Sequence, residues 1–176
     1  MPGEKVSYAL NQRLPEDIRI QKSEEVPLDW HPRHQNSRKT YEYRIYRGEF
    51  LMPVKRLYSL FTYHKLDVKA MQEAAGYFVG EHDFKSFCQV GAQVESTVRT
   101  IYDLTVEEQG RELVIRVTGN GFLYNMVRII VGTLLEVGQG KRLPVDIPKI
   151  IEAKTRQAAG PTAPPQGLML VKYEYL

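Results

Sequence analysis

One arginine interrupts an otherwise apolar run. In "NGFLYNMVRIIVG", residues 120–132, Phe122, Leu123, Met126, Val127, Ile129 and Ile130 recur at helical spacing, and Leu134 and Val137 continue the same face. Arg128 lies opposite them, on a strip with Gly121, Tyr124, Asn125, Gly132 and Leu135. The two glycines would let another backbone or a ligand approach closely. Two readings fit such an arginine. Either its stem lies along apolar surface while its head is hydrated, or its planar fork turns inward to hold a carboxylate or phosphate in two parallel hydrogen bonds. The other reactive residue types give less. His31 and His34 stand three apart in "HPRH", but proline separates them and no cysteine or carboxylate set completes a ligand spacing; His64 and His82 are isolated. Cys88 has no activating neighbours in sequence and reads as a packed thiol. There is no "GxxxxGK[ST]" and no "GxGxxG" after a strand, so no phosphate-cradling loop is expected.

Composition sets outer bounds. The chain has 176 residues, 43% hydrophobic and 26% charged, ordinary values for one globular domain with a real core. A net charge of +3 permits nucleic-acid binding without arguing for it. Eleven tyrosines against one tryptophan supply flat rings with polar tips, suited to stacking on bases and equally common in mixed sheets. A single cysteine points to a reducing compartment, and neither a signal peptide nor an apolar run of ~18 residues is visible, so a cytoplasmic protein is expected.

The elements that must position Arg128 can be read in order. Residues 1–37 have little periodicity and read as a short element and an extended lead-in; residues 38–176 read as the main domain. "KTYEYRIYR" (39–47) alternates as a strand, with Tyr41, Tyr43 and Ile45 on one face and Thr40, Glu42 and Arg44 on the other. "DVKAMQEAAGYFVG" (67–80) reads as a helix with Val68, Met71, Ala75 and Phe78 inward, closing at Gly80. A loop follows, then a hairpin over 98–119 turning at Glu-Gln-Gly, the helix bearing Arg128, a shorter helix in "DIPKIIEAKT", a proline-rich connector "AAGPTAPPQG" and a last strand "LMLVKYEYL". Strand, helix, strand, strand, helix, strand is the ferredoxin-like β-α-β-β-α-β order. It predicts an α+β fold, an antiparallel sheet with both helices on one face and the other face left available.

Five stretches, "NxxLPxDI" (11–18), "RKTYEY" (38–43), "GEHDFKSF" (80–87), "NGFLYNMVRIIVG" and "APPQGLML" (163–170), together resemble the successive motifs of the tRNA pseudouridine synthase A family over nearly the whole chain. The resemblance implies the C-terminal half of a pseudouridine synthase fold and a cofactor-independent, RNA-binding isomerase. It would act as a homodimer on uridines of the tRNA anticodon stem-loop. The family detaches uracil from C1′, turns it over and rejoins it through C5, with an aspartate nucleophile in an "RTDAG" motif acting on a flipped-out nucleotide. By motif match Tyr41 would lie on the flipped uracil and assist deprotonation at C5, Arg128 would pair with the aspartate, and Leu168 would touch the base. No "RTDAG" occurs among these residues, and "RTIYD" (99–103) sits in a predicted strand. The family carries that aspartate in an N-terminal half preceding "NxxLPxDI", so this chain reads as a C-terminal portion, inactive alone, whose partner is the missing half.

Blander alternatives stand beside these roles. Tyr41 could be a packed strand aromatic. Phe84 and Phe87 read as core, and Arg33, Arg38 and Lys39 read either as phosphate contacts or as ordinary surface charge. Two other functions fit the fold: a non-catalytic RNA-binding module stacking bases on its sheet, or a regulatory domain for a small molecule. An Arg128 deprived of its carboxylate would be dispensable for stability, so Arg128→Leu is expected to leave the isolated chain at least as stable. A sheet edge meant for the missing half would promote self-association.

Overall fold

A computed structural model describes residues 1–32, 35–91 and 94–176. Arg33 and His34 lie outside the described residues. The chain forms two compact units, Met1–Gln35 and Asn36–Leu176. In the first, a 3-10 turn runs into a short helix, α1 (Val6–Asn11). Asn11 then ties back the chain that follows: its side chain accepts from the Ile20 N–H at 2.9 Å and donates to the Ile20 carbonyl at 2.8 Å.

The second unit is built on β1 (Ser37–Arg47), whose Tyr43 and Ile45 are fully buried. On one side β1 pairs antiparallel with β5 (Glu112–Gly119), which pairs in turn with β4 (Val98–Gln109). Gly110, at φ 62, makes the tight turn between them. On its other side β1 is shared by two partners: β6 (Leu168–Tyr175) runs antiparallel to its first part, and the short β2 (Leu60–Thr62) runs parallel to its end. A further strand, β3 (Gly80–Asp83), closes the far edge beside β4. The strand order β6-β1-β5-β4 is that of a ferredoxin-like sheet, with β2 and β3 added. Neither addition was visible in sequence, because β2 is three residues long and the all-polar "GEHD" of β3 pairs by backbone alone.

The helices supply the core over one face. α2 (Val68–Gly76) is capped by Asp67, whose side chain accepts from the Ala70 N–H at 3.0 Å. It buries Met71, Ala74 and Ala75, and stops before the predicted Gly80, which instead opens β3 at φ 113. α3 (Met126–Gly138) buries Met126, Ile129, Ile130, Leu134 and Val137 against the sheet, and α4 (Ile147–Glu152) buries its three isoleucines. α3 begins later than the apolar spacing predicts, because Asn125 sits at φ 60 in the left-handed region that no helix continues through. Phe122 and Leu123 are therefore loop residues, although Leu123 is still buried.

On the second face of the sheet the carboxylates are buried, while the Arg44 and Arg116 side chains beside them stay 35% and 41% exposed. Glu42 is only 4% exposed and Val114 1%. The polar face of β1 is occupied by a chain of ion pairs in which Glu42 meets Arg44 at 2.6 Å and Arg116 at 2.9 Å, while Glu112 meets Arg44 at 3.0 Å and Lys55 at 2.6 Å.

Candidate active site

Residues 41, 128 and 168 come from a strand interior, the first turn of a helix and the start of the last strand, and they line one cleft of about 240 Å³. Phe122, Leu123 and Asn125 complete much of its wall. Tyr41 is partly buried, and the ring of Phe122 meets it edge-to-face at 5.3 Å and 90°. Leu168 is held beside it because Leu168 pairs with Tyr43 and Leu170 with Tyr41 across β1 and β6. Of the Tyr-x-Tyr pair only Tyr41 reaches the cleft. Tyr43 is fully buried, donates its hydroxyl to the Pro164 carbonyl at 2.7 Å, and has its phenol pKa pushed well above the ordinary value by burial.

Arg128 neither snorkels nor hangs free. Its Nε donates to the Ala163 carbonyl at 2.6 Å and Nη1 to the Asn125 side-chain oxygen at 3.0 Å, while its own carbonyl accepts from the Ala163 N–H at 3.0 Å. Nη2 and the second Nη1 hydrogen bond to nothing among the described residues, so one edge of the fork remains for an acidic group. The left-handed turn at Asn125 serves this geometry, since it sets the amide oxygen against the guanidinium one helical turn away.

The proline-rich connector is clamped onto α3. Gly160 donates to the buried Thr133 hydroxyl at 2.9 Å, and Gly132 leaves room for the Pro161 carbonyl, which would lie 1.7 Å from a Cβ at that position. Arg156 donates to the Gly160 carbonyl at 2.8 Å and to Thr162 Oγ1 at 3.1 Å. Gly132 thus answers the close approach read from sequence. Gly121 does not, because a Cβ there would make only ordinary contact with Arg99.

The cleft therefore offers an aromatic ring, apolar walls and half of a fixed cationic fork, which suits a flat base beside an anion. Its lining residues include no carboxylate, hence no nucleophile of the aspartate type. Elsewhere, Phe84 and Phe87 are fully buried as expected, and Cys88 is a buried thiol whose pKa is raised by burial. Arg38 and Lys39 lie over the rings of Tyr102 and Tyr173, at 5.2 and 5.1 Å. In sequence Phe122 was read only as part of the apolar helical face and Asn125 only as a neighbour of Arg128, while Ala163 and Arg156 were given no role. Only Asn125 carried a local signal, as a residue that tolerates the left-handed region.

A ferredoxin-like α+β domain with this cleft between β1, the start of β6 and the start of α3 has a matching family. The sequence model described as tRNA pseudouridine synthase matches residues 74–176, more than half of the chain, and that stretch contains Arg128 and Leu168. The chain belongs to the tRNA pseudouridine synthase family, a family of isomerases. Its similarity to individual members is to tRNA pseudouridine synthase A. The chain is 47% identical to that protein of Acetivibrio thermocellus over 175 residues, which cover 99% of this chain and 72% of the relative. With the protein of Ruminiclostridium cellulolyticum it shares 50% identity over 176 residues, again 99% and 72%. With that of Bacillus licheniformis the identity is 48% over 175 residues, 99% and 71%.

Proposed function

We propose that this chain forms part of the catalytic centre of an enzyme that isomerises uridine to pseudouridine in the anticodon stem-loop of tRNA, in the cytoplasm. In the reaction the bond from C1′ to N1 breaks, the uracil turns over, a bond from C1′ to C5 forms, and the proton on C5 is exchanged for one on N1. Tyr41 lies against the flipped base with its hydroxyl placed to take part in the loss of the C5 proton, Leu168 holds the base's apolar edge, and Arg128 pairs with the aspartate that attacks the nucleotide. That aspartate comes from polypeptide other than these residues, in an "RTDAG" segment of an N-terminal half, so the chain is inactive alone. Its partners are tRNA, that half and a second copy of itself.

The observation that supports this reading most is the convergence of Tyr41, Arg128 and Leu168 on one cleft, with the free edge of the Arg128 fork unmatched by any carboxylate in the lining. A flipped nucleotide needs a pocket of this kind, since its unstacking must be offset by contacts to the base. The reading as a mere base-stacking module is weakened by the burial of Tyr43, which removes the second ring of the Tyr-x-Tyr strand from any ligand.

The test is pseudouridine formation on an unmodified tRNA transcript. The chain alone should form none, and adding a polypeptide that carries "RTDAG" should restore turnover. In that reconstituted enzyme Arg128→Ala should lower kcat/KM by roughly 10²–10³-fold, the scale for losing one preorganised electrostatic partner. Pseudouridine produced by the chain alone would overturn the assignment of the nucleophile.

A further inference from the structure

The face of the sheet that carries Tyr41 does not end at the cleft. Residues directly opposite in an antiparallel pair share a face, and the register of β1 with β6 sets Leu168 opposite Tyr43, Leu170 opposite Tyr41, and Tyr173 opposite Lys39. Residues 168 and 170 are even and 173 is odd, so a regular strand would turn Tyr173 and Tyr175 to the other side. The register shift at Thr40/Tyr41 prevents this: the one extra residue on β6 restores both tyrosines to the face of the cleft. The outcome is a strip leading away from Tyr41 through Leu170, Lys39 and Tyr173 to Tyr175. Tyr173 is 39% exposed and Tyr175 49%. Their rings are 4.9 Å apart, and the Lys39 ammonium lies 5.1 Å from the Tyr173 ring centre.

We infer that this strip is a binding subsite for the single-stranded nucleotides adjoining the target uridine. The inference rests on the function proposed above and deepens it. Each unpaired nucleotide presents a flat base and an anionic phosphate, and the strip presents flat rings and a cation in alternation, the combination that holds single strands without reading their sequence. A nucleotide that flips into the cleft leaves its neighbours without a stacking partner on one side. Tyr173, across the strand from Lys39 and roughly 7 Å along it from Tyr41, is placed to replace that partner. The Lys39 ammonium over the Tyr173 ring sets a cation beside the stacking surface, where a phosphate of the same strand can meet it.

The probe is a fluorescently labelled single-stranded heptaribonucleotide containing one uridine, its affinity for the 176-residue chain read by anisotropy at several salt concentrations. Tyr173→Ser should weaken binding about tenfold, whereas Tyr173→Phe, which keeps the ring, should bind as the wild type does. Lys39→Met should make the dependence of log K on log salt shallower by about 0.7, the value of one phosphate on a single strand. Undetectable binding by the wild-type chain, an unchanged Tyr173→Ser, or a Tyr173→Phe as weak as Tyr173→Ser would each overturn the inference. So would a Tyr173→Ser variant altered only in sedimentation, which would make the strip a protein contact. Failure here is separable from failure of the function. If Tyr173→Ser binds RNA normally while Arg128→Ala stops pseudouridine formation in the reconstituted enzyme, the strip falls and the function stands; full turnover by Arg128→Ala would remove the function whatever Tyr173 does.

Discussion

Arg128 holds two hydrogen bonds within its own chain, and this alters what its removal should do. From the sequence, an arginine deprived of its carboxylate partner was expected to be dispensable for stability. With Nε on the Ala163 carbonyl and Nη1 on Asn125, Arg128→Leu instead leaves an acceptor on each side without its donor, and charge-assisted hydrogen bonds of this kind contribute about 1.5–3 kcal/mol when sheltered. Because the residue is only partly buried, the lower end applies. Arg128→Leu should lower the urea midpoint of the isolated chain by an amount worth about 1–2 kcal/mol, with an unchanged slope; an unaltered midpoint would return the residue to a purely catalytic role. The position of Arg128, off the apolar face of its helix, was legible from spacing. Its partners were not, because the Ala163 acceptor is a backbone carbonyl 35 residues away and backbone groups leave no trace in residue type.

Among the elements, α3 and the connector after α4 form a single clamp, and two glycines test it with opposite signs. A Cβ on Gly132 would lie 1.7 Å from the Pro161 carbonyl oxygen, backbone that cannot swing aside as a side chain can. Gly132→Ala must push the connector off α3, displacing Ala163 from Arg128 and shifting Leu168, at a cost of about 1–3 kcal/mol or more. At Gly76, the last residue of α2, a Cβ would meet nothing within 4 Å. There the substitution to alanine should stabilise, by about 0.4–1 kcal/mol, through the entropy removed from the unfolded chain. Thermal unfolding of the two variants should move in opposite directions, and a tolerated Gly132→Ala would mean that the connector is not tightly seated. The two glycines look alike in sequence, each inside an apolar-periodic stretch. What separates them is the approach of Pro161, a tertiary contact. For the same reason the long elements were read correctly in order, while β2 and β3, which consist of little more than borrowed backbone pairing, were not.

At the scale of the whole sheet, the polar residues of β1 were legible as an alternating face but not as a buried one. That burial depends on register, because β5 sets Arg116 opposite Glu42 and Glu112 opposite Tyr46, from more than sixty residues away. Lys55, Glu112, Arg44, Glu42 and Arg116 then run as one line of alternating charge across the sheet. Burial alone would raise the carboxyl pKa of Glu42, but the paired Arg116 and Arg44 outweigh it and hold the group below its ordinary 4.5. For Glu112 the Lys55 ammonium is the main cause, opposed by burial and helped by Arg44, and its pKa is lowered as well. A carboxylate whose folded pKa lies below its unfolded one contributes stability that is present in full above the unfolded value and is lost as pH falls through the folded value. Stability should therefore stay level from neutral pH down to about 5 and decline below about 4.5, as the unfolded chain begins to take up protons that the folded chain refuses. Glu42→Gln should lower stability at neutral pH, where Arg44 and Arg116 lose their counter-charge, and should flatten the acid decline, so that the two curves converge at low pH. Urea midpoints of both proteins between about pH 7 and pH 3 decide it. Curves that remain parallel throughout would show that Glu42 titrates alike in the folded and unfolded chains, and that its ionised carboxylate gains nothing in the fold from Arg44 and Arg116.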